Sequence, residues 1–233
     1  MVVLGLFRKL ETERSYGKAK RVSSEKRNSG SRKMKQVLLV SVEGNKNNKT
    51  ERLYLSHFKG RHIEVRFVPG NETDPETMMK RLIETSREND LDRNDMAACL
   101  IDSDFDRARD QVIRKVEEAA SKSRRPEVHL IVSSPSFEIW YLCHFQCSTR
   151  EYQNKEEVLA DLNKYIPGYK KSADVHKWLE GKEKDAIKNA QQLEITCKKH
   201  DKRYHHVEFM PSTDMYKVLQ WIEKNGGVDR LGG

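Results

Sequence analysis

Residues 97–106 read Ala-Ala-Cys-Leu-Ile-Asp-Ser-Asp-Phe-Asp, and the fold turns on how this stretch is understood. The uncharged run Met96–Ile101 passes without a break into Asp102, Asp104 and Asp106. So short an apolar run marks a buried strand, as in a parallel sheet. Open α/β sheets carry their sites at the carboxyl ends of strands, where these acids stand. Three carboxylates this close repel one another unless a cation neutralises them, and Mg²⁺ prefers oxygen ligands of this kind. The plainer reading is a solvated loop opening a helix, with Asp106 as the N-cap.

The flanking segments favour a sheet. Upstream, Gln36–Val42 is a second buried-looking strand that ends in Glu43-Gly44. A Lys/Asn-rich loop then leads to a helix over 50–58, with Thr50 as a candidate N-cap. Ile63–Val68 alternates as a strand, and Asp74-Pro75 opens another helix with proline at its first position. Downstream, a charged helix runs from Asp106 to about Lys122, Val128–Val132 is a fourth strand, and Phe137–Phe145 is apolar enough for a buried helix. Four β-α units in succession predict an α/β fold: a mainly parallel, Rossmann-like sheet with right-handed crossovers, flanked by helices. Residues 36–150 would form this core and 151–233 a helical C-terminal part packed on it. Helical spacing appears over 155–165, 172–179 and 184–199. Val207–Phe209 reads as a short edge strand, and Ser212/Thr213 as the cap of a last helix ended by Gly226-Gly227.

Charged residues make up 34% and apolar ones 36% of the 233, and no run approaches the roughly 18 apolar residues that span a membrane. Val2–Phe7 is shorter than a secretory core and follows no basic segment, so a cytoplasmic protein is expected. The four cysteines, Cys99, Cys143, Cys147 and Cys197, have neither disulfide nor zinc spacing and read as free thiols. The net charge of +8 sits in the tail: residues 1–35 hold eleven Lys/Arg against three Glu, and the rest holds 33 of each sign. That arm reads as a disordered basic segment, either tracking phosphates or solubilising the chain.

Parallel strands bring their carboxyl ends to one edge, so Glu43 can meet Asp102 and Asp104 across the sheet and complete a Mg²⁺ or Mn²⁺ shell. Such an ion polarises phosphoryl oxygens and lowers the pKa of water. Glu43 can alternatively serve as a general base. Glu138 is a further ligand, an orienting residue or a helix-dipole partner. His144 reads as a core histidine, Lys170 and Lys171 as phosphate contacts or a solvated pair, and His205-His206 as surface.

A strand ending in Glu43-Gly44 and another ending in Asp102-Ser-Asp104 resemble the acidic motifs of the Toprim domain. More narrowly, the chain resembles the RloB-like family of prokaryotic abortive-infection proteins. Glu43-Gly44 with Thr50-Glu51 is similar to that family's first motif. Ser134-Pro-Ser-Phe-Glu-Ile-Trp-Tyr-Leu-Cys-His-Phe145 is similar to its Asn-Pro-x-Phe-Glu-x-Trp-x-x-x-His-Phe signature, and Pro211-Ser212-Thr213 also fits. Two departures stand out: a longer loop between Gly44 and Thr50, and Ser134 in place of the usual asparagine.

The resemblance implies a Toprim-like nuclease that cleaves RNA or DNA with Mg²⁺ or Mn²⁺ at Glu43, Asp102, Asp104 and Asp106. It also implies an anti-phage role and an AAA/ABC-type ATPase as partner. A homo-oligomer stays open. The rival expectation is a non-catalytic adaptor that binds nucleic acid or the ATPase and keeps a relic of the site. A receiver-type phosphoacceptor lacks its strand-end lysine. A calcium-binding EF-hand would need Gly at Arg107 and Glu at Ile113.

Overall fold

The strand β1 (Gln36–Val42) lies inside the sheet, hydrogen-bonded in parallel to β2 (Ile63–Phe67) on one side and β3 (Met96–Asp102) on the other. β3 pairs in parallel with β4 (Val128–Ser134), and β5 (Ser212–Thr213) closes the far edge antiparallel to β4. The order is therefore β2-β1-β3-β4-β5, which makes this an α/β fold with a mostly parallel sheet. The computed structural model describes residues 35–44, 50–123 and 127–227. The predicted basic arm, apart from Lys35, and the Lys/Asn-rich loop lie outside the described residues.

Why the strands are apolar on both sides is visible residue by residue. Successive side chains point to opposite faces. Leu38, Val40 and Val42 face α1 (Thr50–Ser56), α4 (Glu138–Cys143) and α8 (Met215–Ile222), while Val37 and Leu39 face α2 (Pro75–Glu88) and α3 (Arg109–Lys122). The chain thus crosses from β1 to β2 on one face, then from β2 to β3 and from β3 to β4 on the other. Right-handed crossovers require that change of face when the direction of winding reverses. The reversal falls between β1 and β3, where open α/β sheets leave a crevice at the carboxyl ends. The C-terminal helices α5 (Lys155–Leu162), α6 (His176–Leu179) and α7 (Glu183–Lys199) join α4 and α8 in the larger core.

Local signals explain several boundaries. Asp74 Oδ2 accepts from the Thr77 amide at 2.8 Å, with Pro75 in the first helical position. Asn154 caps α5 by accepting from the Glu157 amide at 2.9 Å. Gly226, at φ +103°, follows α8 with a conformation that side chains rarely adopt, and a Cβ there would press on His62 at 3.0 Å. Cys99, Cys143, Cys147 and Cys197 are free thiols.

Four expectations need correction. Val207–Phe209 is a turn, because Asp110 Oδ1 takes the Val207 amide at 2.7 Å and removes a donor from any ladder; the edge strand is Ser212–Thr213 instead. The helix after β3 begins at Arg109, since Asp106 Oδ1 caps an earlier turn through the Ala108 amide at 2.8 Å. Thr50 is the first residue of α1, and its hydroxyl accepts from the Ser172 amide at 3.0 Å rather than capping the helix. His205 is buried, held between acids of α3 and the start of α8.

Candidate functional site: a carboxylate cluster at the strand ends

Glu43 follows β1 directly, at the switch point, and Gly44 behind it turns the chain away at φ +105°, a conformation suited to glycine. Across the crevice Asp102 is the last residue of β3. Arg109, from the first turn of α3, ties the two ends together. Its Nη2 pairs with Glu43 Oε2 at 2.5 Å and its Nε donates to the Asp102 carbonyl at 3.2 Å.

Two more acids approach from the helical face. Glu51 on α1 is 7% exposed, and Glu138 in the first turn of α4 is 3% exposed. Glu138 is well partnered: Ser136 Oγ donates to Oε2 at 2.7 Å, Tyr169 Oη donates to Oε1 at 3.2 Å, and Lys171 Nζ lies 4.0 Å from Oε1. Glu51 Oε2, in contrast, is buried and has no hydrogen-bond partner among the described residues. An orphan oxygen on a buried carboxyl is costly unless a proton or a cation completes it.

The charges respond accordingly. Burial, then repulsion from Glu51, Glu138 and Glu43, raises Asp102 well above the usual carboxylate range, with Lys171 opposing. Burial also lifts Glu51 to about 7, its own amide opposing and Glu138 adding to the rise. Four acids from β1, α1, β3 and α4 thus share one electrostatic environment, with Lys171 as a common cation.

Asp104 stands apart. It takes a left-handed backbone, φ +52°, which aspartate tolerates better than most residues. Its amide donates to the Pro135 carbonyl at 3.0 Å, and its carboxylate pairs with Lys155 Nζ of α5 at 2.7 Å. Asp106 is exposed and engaged in its turn cap. Lys171 reaches the cluster through Glu138, whereas Lys170 is exposed on the adjoining loop. Ser134 Oγ accepts from Ser103 Oγ at 2.7 Å, so the position where asparagine was expected still carries a side-chain hydrogen bond. Glu51 as an acid of the cluster, and Arg109 and Lys155 as cations on it, were missed by sequence reasoning. Only the Thr50-Glu51 pair gave a signal.

Among the described residues, no group of three or more Asp, Glu, His or Cys side chains is drawn together closely enough to hold a metal ion. The donor set nonetheless suits a hard divalent cation. It offers carboxylate oxygens only, one of them orphaned, on groups whose negative charge the fold disfavours.

His144 belongs to the core. Its Nδ1 donates to the Trp140 carbonyl at 2.9 Å, which leaves Nε2 to accept from Tyr54 Oη at 3.3 Å. Burial holds it down to about 4. A histidine with a lowered folded pKa adds stability that is fully present above about 6.5 and is lost as pH falls toward 4. Its imidazole ¹⁵N shifts should therefore stay those of a neutral ring from pH 8 to 5.5; titration near 6.5 would show an open site.

Glu51 has the opposite linkage. Its raised folded pKa means stability is full below its ordinary value of 4.5 and declines as pH climbs to about 7. In EDTA at pH 8, Glu51→Gln should stabilise the protein by on the order of 1–3 kcal/mol. At pH 4.5 that gain should nearly vanish. Urea titrations at the two pH values check this.

An α/β protein with carboxylates gathered at the switch point of its sheet is the class defined so far. The sequence also matches the RloB-like protein family over residues 38–222, well over half of the chain. The protein belongs to the RloB-like family. Searches of curated proteins and of solved structures each return no match.

Proposed function

We propose that the protein is a divalent-cation-dependent nuclease that hydrolyses phosphodiester bonds in RNA or DNA, with a Toprim-like site. The observation that carries this reading is that Arg109 bridges the Glu43 carboxylate and the Asp102 carbonyl across the switch point, with Glu43, Glu51 and Glu138 all acting on the Asp102 carboxyl. Membership of the RloB-like family supports it and adds the expectation of an anti-phage effector acting with an AAA/ABC-type ATPase.

Glu43, Asp102, Glu51 and Asp104 would hold Mg²⁺ or Mn²⁺. The cation would supply the positive charge that stabilises the scissile phosphoryl oxygens. In the cation-free protein Glu51 can carry a proton at its orphan oxygen, which a bound cation would displace. Lys171 offsets the negative field beside Glu138 and can face a phosphate. Glu138 stays hydrogen-bonded to Ser136 and Tyr169 and orients the first turn of α4. Asp106 keeps its turn cap and is the least suited of the predicted ligands.

Purified protein with Mg²⁺ or Mn²⁺ should cut RNA, DNA or both in a mixed pool, and Glu43→Ala should not. Equal cutting by wild type and variant would refute the assignment. A second reading is favoured by the Arg109–Glu43 and Lys155–Asp104 ion pairs, which neutralise two acids without any metal. On that reading the protein is an adaptor for nucleic acid or an ATPase and the site is a relic. Divalent ions would then leave the melting temperature unchanged.

A further inference from the structure

The acids at the crevice are not merely close to cations; two of them are already paired. Arg109 reaches Glu43 at 2.5 Å, and Lys155 reaches Asp104 at 2.7 Å. Both cations come from outside the strands that carry the acids: Arg109 from α3 on one face, Lys155 from α5 in the C-terminal part. Meanwhile Glu51 is buried, and among the described residues its Oε2 has no hydrogen-bond partner and no ion pair holds its carboxylate. Neutralisation is therefore uneven: the acids Glu43 and Asp104 are each in a close ion pair, whereas Glu51, Asp102 and Glu138 have only Lys171, 4.0 Å from Glu138, to offset their mutual repulsion.

We infer that Arg109 and Lys155 are exchangeable counter-ions, which occupy Glu43 and Asp104 in the cation-free protein and are displaced when a divalent cation loads. This rests on the metal-site reading above and deepens it. A guanidinium or an ammonium bonded to a carboxylate oxygen competes for the same lone pairs that a hard cation needs. Arg109 also donates to the Asp102 carbonyl, so its departure from Glu43 leaves it anchored at the rim of the crevice. Lys155 sits 45% exposed by its side chain and can turn outward without leaving a buried charge. Displaced in this way, both cations remain beside the site, where the incoming ligand of the nuclease reading is a phosphodiester. The acid–base pairs thus keep an unloaded site closed to divalent ions until their concentration is sufficient.

The test is Mn²⁺ binding by isothermal titration calorimetry on the full chain, comparing wild type with Arg109→Gln and Lys155→Gln. Lys122→Gln, which breaks an exposed pair with Glu118 remote from the crevice, serves as control. The proposal expects the Kd for Mn²⁺ to fall by about tenfold in each of the two site variants, and to be unchanged in the control. Wild-type binding with equal or weaker binding by both site variants would overturn the counter-ion role and leave the metal site standing. Binding by none of the proteins would overturn the metal reading and this proposal with it. Should Arg109→Gln not fold, the wild type answers instead through its arginine Nε–H resonances. Mg²⁺ should shift the Arg109 signal, and metal binding that leaves it unmoved would overturn the role of Arg109.

Discussion

Asp102→Asn should remove cleavage and leave the metal-free protein at least as stable as wild type. The activity loss is expected at about 100- to 10,000-fold, the range seen when a group that acts on the reacting centre is removed. The stability result follows from the electrostatics. Burial and the charges of Glu51, Glu138 and Glu43 all disfavour an ionised Asp102, so a neutral amide of the same size relieves the folded state. A purely structural strand-end aspartate would behave in the opposite way, weakening the fold when replaced. Chemical denaturation in EDTA and a nuclease assay in Mn²⁺, run on the same preparation, separate these roles. An Asp102→Asn protein that is both destabilised and active would contradict the assignment.

Asp214→Ala should be the most damaging single change outside the crevice, costing about 3–5 kcal/mol, as breaking a buried ion pair does. Asp214 is 3% exposed at the start of α8. It accepts from Tyr204 Oη at 2.6 Å and pairs with His205 Nε2 at 2.5 Å and Lys217 Nζ at 2.8 Å. The other ring nitrogen of His205 faces Glu117 of α3, and Asp110, one residue after Arg109, holds His206 Nδ1 at 3.0 Å. Removing Asp214 would leave Lys217 without the acid it pairs with and a charged His205 with Glu117 on one ring nitrogen alone.

This network should also depend on pH. Burial alone would lower His205, but its hydrogen bonds to Asp214 and Glu117 outweigh that and raise it. Its contribution is thus full below its ordinary 6.5 and is lost as pH rises through the higher folded value. Burial alone would raise Asp214, but His205 and then Lys217 outweigh that and lower it. Its contribution is present above 3.8 and is lost as pH falls through the lower folded value. The cost of Asp214→Ala, measured by urea titration, should therefore be larger at pH 5.5 than at pH 9. A cost that does not fall between these pH values would show that His205 is not the charged partner.

Much of the architecture was legible because it is local. β1, β3 and β4 announce themselves as apolar runs that end in polar residues, and their alternation with helices restricts the topology to a parallel sheet. From that alone Glu43 and Asp102 could be placed at one edge. Other features depend on contacts between distant segments, and no periodicity reports those. Glu51 looks like any acid in the first turn of a helix; only the packing of α1 beside α4 buries it. Arg109 and Lys155 look like surface cations until α3 and α5 are seen to bring them to Glu43 and Asp104. His205, expected on the surface, is drawn inward by Glu117 and Asp214, which lie 88 and 9 residues away in sequence. The strand expected at Val207–Phe209 gives way to a turn: Asp110 captures the Val207 amide and the Phe209 amide bonds the His206 carbonyl at 2.8 Å, so neither donor serves a ladder.

We propose that the crevice between β1 and β3 holds a divalent cation. Anomalous diffraction from crystals soaked in Mn²⁺ tests it most directly. The expected result is a manganese peak within coordination distance of the Glu43 and Asp102 carboxylates, with Arg109 turned away from Glu43. Diffraction showing no peak in the crevice, with the Arg109–Glu43 pair intact at saturating Mn²⁺, would contradict it.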